Sequence, residues 1–178
     1  MGNAHQMIHT PYYGRCGFYN FPGMLTLGQG GQTLGMYRVQ MFLWAIFGSP
    51  LVIGADIRNL SADYMQLITA PEVLQINADP DCTQGSLVAS LDAGELWIRP
   101  LSGARFAAVM LNKSPSHPVN VTVWFTHAHL RSSFYPADVG KEVRVRDAWL
   151  QRDVGSFDTS FTRTIAPQDA SIFLLTPM

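Results

Sequence analysis

Tyr19-Asn-Phe-Pro-Gly-Met-Leu25 opens the stretch of sequence that decides the fold. An apolar segment, Phe42-Leu-Trp-Ala-Ile46, comes next, and Ser49-Pro-Leu-Val-Ile-Gly-Ala-Asp56 follows it. Residues 51–55 form a short run without charged side chains, a pattern typical of a strand buried on both faces of a parallel sheet. A helix followed, after a Gly/Pro break, by such a strand predicts βα units.

Helical periodicity supports this interpretation around the predicted strand. Thr33 is a predicted N-cap, because a hydroxyl there can accept a hydrogen bond from the first helical turn. The apolar side chains that follow it lie on one helix face: Met36, Val39, Phe42, Leu43, Ile46 and Phe47. Ser61 and Pro71 predict the starts of two further short helices. We therefore predict that residues 1–82 form the last two βα units of a (β/α)8 barrel.

The pattern changes near residue 80, where short strands and polar turns replace the helical periodicity. The predicted strands cover residues 86–91, 95–100, 105–112, 119–125, 142–149, 160–165 and 170–175. Strands that recur at such intervals are typical of an antiparallel sandwich. We predict that residues 83–178 form this β-sandwich, so that the fold class of the chain is α/β followed by all-β.

Length and charge exclude several classes of protein. The chain has 178 residues, whereas a complete (β/α)8 barrel needs about 250. Its net charge is −1 and it has no run of basic residues, so nucleic acid is not an expected partner. Residues 39–55 are uncharged but fall short of the roughly 20 residues of a membrane span, so no membrane partner is expected either. The first residues do not resemble a signal peptide, and the pattern predicts no oligomeric state.

No cofactor or metal ion is expected. His5 and His9 are four residues apart, but no third ligand follows them, and His127 and His129 fit exposed positions better than a metal site. The sequence has no phosphate-binding loop and no complete dinucleotide fingerprint. Cys16 and Cys82 are too few for a disulfide scaffold, and their spacing leaves open whether they pair.

Several motifs resemble the carboxy-terminal half of glycoside hydrolase family 27, the melibiases, which comprise α-galactosidases and α-N-acetylgalactosaminidases. That family has Trp-Asn-Asp-Pro-Asp-Met-Leu where this chain has residues 19–25. The resemblance continues in order through about residue 178. It includes Leu43-Trp-Ala-Ile46, Pro50-Leu-Val-Ile53, Asp56-Ile-Arg-Asn-Leu60, Val73-Leu-Gln-Ile-Asn77, Trp97-Ile-Arg-Pro-Leu101 and Val145-Arg-Asp-Ala-Trp149.

This resemblance implies retaining hydrolysis of terminal α-galactosides, which needs two carboxyl groups about 5–5.5 Å apart. In the family, the nucleophile belongs to a Lys-Tyr-Asp motif and the acid/base to an Arg-x-x-x-Asp motif. Neither motif occurs in this sequence. We therefore predict no catalytic residue, and an α-galactosidase-like chain that is inactive alone, either a carboxy-terminal fragment or a divergent homologue.

The resemblance also implies which residues bind the substrate. Asn20, Gly23 and Met24 fall on the family's sugar-contacting segment, but Phe21 and Gly23 replace its two aspartates. Losing two acceptors for sugar hydroxyls predicts that an α-galactoside is bound weakly or not at all. Asp56, which follows the predicted strand, is either a remaining polar group of the pocket or a loop cap.

Two alternatives stay open. One is a non-catalytic carbohydrate-binding or interaction module that uses a face of the sandwich. The other is a fragment from an incomplete gene model, whose open barrel edge, with its unpaired backbone groups, is an artefact. The tryptophans Trp44, Trp97, Trp124 and Trp149 fit core packing better than sugar stacking. Members of the family are secreted or lysosomal or vacuolar, but this sequence leaves the compartment open.

Overall fold

The computed structural model describes residues 2–125 and 142–178. Its helices are α1 (Gly2–Gln6), α2 (Leu34–Phe47), α3 (Ala62–Ile68) and α4 (Pro71–Asn77). Its strands are β1 (Ser86–Leu91), β2 (Gly94–Leu101), β3 (Arg105–Asn112), β4 (Val119–Trp124), β5 (Val143–Asp147), β6 (Arg152–Phe157), β7 (Ser160–Ile165) and β8 (Asp169–Pro177). No helix in these ranges is long and apolar enough to cross a membrane.

Helix α2 begins and ends at the residues that the sequence predicts. The Thr33 hydroxyl accepts a hydrogen bond of 3.2 Å from the Met36 amide, which satisfies one of the free N–H groups of the first turn. Gly48 ends the helix in the left-handed conformation (φ 62°), which glycine adopts without steric cost. Ser61 and Pro71 likewise begin α3 and α4, so the three predicted helices are confirmed.

The strands of the described residues form two antiparallel sheets. The larger sheet has the order β1-β2-β3-β8-β5-β6, and β4 pairs with β7 in the smaller one. The predicted hairpin is confirmed, with Leu91 opposite Gly94 beside its turn. Strand β6 was not predicted, because none of its residues is buried and it contains Gly155. Otherwise the predicted antiparallel sandwich is confirmed.

The larger sheet is covered on both faces, and alternation along β3 explains how. Ala107, Val109 and Leu111 join the core that packs against the helices. Phe106, Ala108 and Met110 point the other way and pack with residues of β4 and β7. Successive strand residues face opposite sides of a sheet, so β3 supplies apolar side chains to both cores. The proposed boundary between residues 82 and 83 stays a prediction, and the core shared by α2 and the sheet crosses it.

Residues 51–55 do not form the strand buried on both faces that their composition predicts. Within the described residues, this run has one parallel bridge, between Leu25 and Ile53, and Val52 is 43% exposed. Leu51 packs against the core on the helix side. A strand of a parallel sheet is buried on both faces only where other elements pack on each of them. Among the described residues, other elements pack on one side of residues 51–55. The barrel architecture of residues 1–82 therefore stays a prediction.

Candidate functional site

Asn20 anchors the predicted sugar-contacting segment through its side chain and its backbone. Its Nδ2 donates hydrogen bonds of 2.8 Å to the carbonyl of Thr10 and 2.6 Å to Oε1 of Gln84. Its carbonyl oxygen accepts a 2.8 Å bond from the hydroxyl of Ser49, a fully buried residue. Both amide hydrogens are therefore engaged, which leaves the side-chain oxygen as the group of Asn20 able to meet a ligand.

Gly23 and Met24 lie next to helix α2. The Gly23 carbonyl accepts a 2.8 Å hydrogen bond from Nε1 of Trp44, and its φ of 114° favours glycine at this position. Met24 is 53% exposed. Gln40 of α2 accepts at Oε1 from the Thr26 amide at 3.0 Å and donates from Nε2 to the Met24 carbonyl at 3.4 Å. Its side chain thus satisfies backbone groups of residues 24–26.

A cavity of about 650 Å³ opens beside Gly23 and Met24. Apolar side chains of α2 form one wall, and amide side chains and Lys113 form much of the rest. The lining residues are Ala4, Pro22, Gly23, Met24, Thr26, Gln29, Gln32, Met36, Val39, Gln40, Leu43, Trp44, Asn112, Lys113 and Gln168. No aspartate or glutamate is among these described residues. The structure thus brings Gly23 and Met24 to one cavity and places Asn20 outside its lining.

Two aromatic residues stand next to these positions on the same segment. Tyr19 is 49% exposed and Phe21 is 50% exposed. Phe21 occupies a position where the resembled family has an aspartate. An exposed benzyl group offers an apolar surface and no hydrogen-bond acceptor, so this rim favours packing against C–H groups over recognition of hydroxyls.

A buried charged cluster that the sequence did not indicate lies behind Lys113. Glu95, 2% exposed, accepts from Nζ of Lys113 at 2.6 Å and from Nε1 of Trp97 at 3.0 Å, and it contacts Nε2 of His5 at 3.1 Å. Burial by itself raises the pKa of Glu95, but the bonds from Lys113 and Trp97 and the charges of Lys113 and His5 outweigh it and lower the pKa. Glu95 therefore stays ionised and neutralises Lys113.

Asp56 acts as a cap. Its Oδ1 accepts from the amide of Arg58 at 3.0 Å, and its carboxylate pairs with the Arg58 guanidinium at 2.7 Å. The bond from the Arg58 side chain lowers the pKa of Asp56 below its ordinary value. Of the two roles that the sequence left open, the structure supports the loop cap, at the start of a short 3-10 turn (Ile57–Asn59).

The tryptophans divide into buried and half-exposed residues. Trp44 is 5% exposed and Trp97 is fully buried, as core packing requires. Trp149 packs against Phe42 with ring centroids 6.1 Å apart. Trp124 is 48% exposed, so its side chain is half outside the core, in contrast to the prediction. The alternation of β4 explains this, because Val123 and Phe125 take the inward positions.

Cys16 and Cys82 form a disulfide with their Cα atoms 5.1 Å apart, which resolves a question that the sequence left open. Over residues 2–125 and 142–178, no group of three or more His, Cys, Asp or Glu side chains is arranged to hold a metal ion. His5 contacts Glu95 instead. The predictions for His127 and His129 lie outside the described residues.

Two family models match the chain in succession. Residues 3–79 match a model described as alpha galactosidase A, and residues 92–175 match one described as the alpha galactosidase C-terminal beta sandwich domain. Alpha-galactosidase 3 of Arabidopsis thaliana is 32% identical over 169 residues, which are 93% of this chain and 37% of that protein. The chain thus spans about two fifths of the length of the curated relatives that it matches.

Solved structures of such proteins share the fold. Alpha-galactosidase I of Mortierella vinacea superimposes with a TM-score of 0.92 at 22% identity, over 99% of this chain and 44% of that one. The α-galactosidase of Saccharomyces cerevisiae solved with raffinose gives a TM-score of 0.88 at 15% identity, over 99% of this chain and 51% of that one. On the two consecutive family matches and the order of its motifs, this chain belongs to glycoside hydrolase family 27, the α-galactosidase family, and corresponds to the carboxy-terminal part of its members.

Proposed function

We propose that this chain supplies the rim of an α-galactoside pocket and the β-sandwich behind it, and that alone it hydrolyses no α-galactoside. The observation that carries the proposal is the cavity beside Gly23 and Met24, whose described lining contains no carboxyl group. Retaining hydrolysis needs two carboxyl groups about 5–5.5 Å apart, one as nucleophile and one as acid/base. The sequence contains neither family motif that carries them.

The proposed ligand is a terminal α-galactoside, bound weakly. A relative of the same fold was solved with raffinose, a sugar of this class. In this chain Met24 offers apolar contact, and the polar groups nearby are amides such as Gln29 and Gln32. The positions of Phe21 and Gly23 offer no carboxylate, and each missing acceptor costs about 1–3 kcal/mol of the affinity.

A turnover assay tests the catalytic half of the proposal. The purified chain, incubated with an aryl α-galactoside, should release no phenol above the blank at any pH from 4 to 8. The matched control is a Met24→Ala variant purified identically, because a contaminating hydrolase gives the same rate in both preparations. Turnover that persists through purification and changes in Met24→Ala contradicts the proposal.

Calorimetry with methyl α-galactoside tests the binding half. Phe21→Asp returns one acceptor to the rim, so we expect about tenfold tighter binding, which corresponds to about 1.4 kcal/mol. Phe21→Ala removes the same ring without adding an acceptor and is the matched control. Equal affinities of the two variants contradict the assignment of this rim to the sugar.

The alternative function, a carbohydrate-binding face on the sandwich, has one observation in its favour. Trp124 is half exposed on β4, where Thr122 and Asn120 lie on the same strand face. Thr122 bonds Thr162 at 2.8 Å and Asn120 accepts from Thr164 at 2.7 Å, so these polar groups already satisfy one another across the strands. Loss of sugar binding in Trp124→Ala but not in Met24→Ala favours this alternative.

A further inference from the structure

Arg99 on β2 is a buried cation with an unused hydrogen-bond donor, its Nε–H. Its side chain is 1% exposed, and its Nη1 donates to the carbonyls of Ala45 at 2.7 Å, Ile76 at 2.8 Å and Asn77 at 3.2 Å. Nε has no partner among the described residues. A guanidinium carries five N–H donors, and a buried donor without an acceptor is costly, so this group needs an acceptor from outside the described protein.

A second cavity, of about 330 Å³, lies beside this guanidinium. Arg99 lines it together with Tyr19, Gly48, Ser49, Asn77 and Asp79, and Pro50, Ala78, Pro80 and Cys82 complete its wall. Gly48 packs closely against the guanidinium, since a Cβ at this position would lie 2.7 Å from Nη2, so a larger residue here would displace the group. The volume is within the range of about 300–1,000 Å³ that is typical of small-ligand sites.

The charges around the cavity favour an uncharged ligand over an anion. Burial lowers the pKa of Arg99 to about 10, so the guanidinium stays charged at neutral pH, and Asp79 and Asp81 oppose this decrease by attraction. Asp79 is itself occupied, since it accepts from the amide and hydroxyl of Ser102 at 2.9–3.1 Å. Arg105 also lies 3.8 Å from Asp79, so two guanidinium groups and two carboxylates balance near the cavity, and no net positive charge is left to attract an anion.

The lining of this cavity also includes an aromatic side chain. Tyr19 is 49% exposed, its hydroxyl lies 3.8 Å from Sγ of Cys82, and the disulfide holds that cysteine in place. A half-exposed phenol ring that lines the same cavity as a buried guanidinium matches a ligand with an apolar C–H face and hydroxyl oxygens at its edge. Among small neutral molecules, a pyranose sugar combines these two features.

We propose that the cavity between Tyr19 and Arg99 binds one neutral sugar residue, with a sugar oxygen accepting from the guanidinium and the C–H face of the ring on Tyr19. The site is separate from the cavity beside Gly23 and Met24 and does not rest on the function proposed for it. Neither Gly23 nor Met24 lines the second cavity.

Titration of the full chain with D-galactose, followed by ¹H–¹⁵N spectra that include arginine Nε–H signals, tests the proposal. We expect the Arg99 Nε–H signal to shift with saturation. Tyr19→Ala should weaken this binding at least tenfold, and Arg99→Lys, which lacks the planar fork of donors, should abolish it. Tyr12→Ala is the matched control, because Tyr12 is 87% exposed and outside the cavity lining.

The outcomes separate the two sites. Binding that is lost in Met24→Ala and unchanged in Tyr19→Ala places the sugar elsewhere and overturns the proposal. So does an Arg99 signal that responds to inorganic phosphate but not to galactose, which would identify an anion site. If Arg99→Lys does not fold, Tyr19→Ala decides alone, since a half-exposed side chain can be shortened without opening the core.

Discussion

The side-chain amide of Asn20 donates a 2.6 Å hydrogen bond to Oε1 of Gln84, a residue 64 positions further along the chain. Gln84 is 4% exposed and donates from Nε2 to the carbonyl of Met7 at 3.0 Å. Two amide side chains thus connect the segment next to α1, the predicted sugar-contacting segment and the entry to the sandwich. Asn20, which the sequence predicts to bind sugar, therefore also has a structural role.

Replacing Asn20 with alanine should therefore destabilise the fold. The change leaves Oε1 of Gln84 buried without a donor, and one such group costs about 1–3 kcal/mol. Urea unfolding followed by circular dichroism measures the effect. Asn59→Ala is the matched control, because this asparagine is exposed and its loss should change the free energy of unfolding by less than about 0.5 kcal/mol. Equal effects of the two variants would contradict the structural role of Asn20.

The disulfide between Cys16 and Cys82 links the chain just before Asn20 covalently to the chain just before Gln84. The cysteines are 66 residues apart in sequence, and closing a loop of that length in the unfolded chain stabilises the fold by about 4 kcal/mol in the chain-entropy model. We expect dithiothreitol to lower the urea midpoint of the wild type. A double variant, Cys16→Ser with Cys82→Ser, should show the low midpoint with or without reductant, and a response of this variant to reductant would point to another cause.

Arg99 joins the ends of two helices to the sheet. Its Nη1 bonds carbonyls in the last turns of α2 and α4, where the helix dipoles favour a cation. Arg99→Met keeps much of the side-chain volume but leaves these carbonyls without their donor, so the free energy of unfolding should fall by at least about 3 kcal/mol. The exposed Arg144→Met is the control and should be nearly neutral. A small loss in Arg99→Met would mean that other groups satisfy the helix ends.

The parts of the fold that sequence reasoning predicted are those with local causes. Thr33, Ser61 and Pro71 define helix starts because capping and proline geometry act within one turn. The hairpin of β1 and β2 follows from alternation and a short turn. Strand β6 has no such local signal. It is a strand because β5 pairs with it, and Gly155 with a φ of 148° adapts to the irregular register between the two strands.

The candidate sites were less predictable, because their chemistry depends on distant residues. The motif indicated Gly23 and Met24, which both line one cavity, and their role in sugar binding stays a prediction. The Cα atoms of Cys16 and Cys82 lie 5.1 Å apart because two loops pack together, and the spacing of the cysteines in the sequence does not reveal this. The sequence around Arg99 predicts an ordinary strand residue. Its burial and its unpaired Nε depend on the ends of helices that lie 22 to 54 positions away in the sequence.

Glu95 and Trp97 alternate on β2, and both side chains turn towards the helix side of the sheet. The Trp97 indole N–H donates to Oε2 of Glu95 at 3.0 Å, and Lys113 donates to Oε1 at 2.6 Å. His5 contacts the same oxygen at 3.1 Å, which links α1 to the sandwich. A carboxylate that is 2% exposed and has three partners is stable only as long as it remains charged.

The pH dependence of stability should report this charge. The folded-state pKa of Glu95 lies below its ordinary value of 4.5, so its contribution is fully present above about pH 4.5 and is lost as the pH falls through the lower, folded-state value. Urea midpoints of the wild type should therefore decrease from pH 6 to pH 3. Glu95→Gln keeps an acceptor for Trp97 but carries no charge, so it should be less stable at pH 6 and lose less on acidification. The exposed Glu142→Gln should keep the full wild-type decrease. Parallel curves for Glu95→Gln and the wild type would place the acid sensitivity in other carboxyl groups.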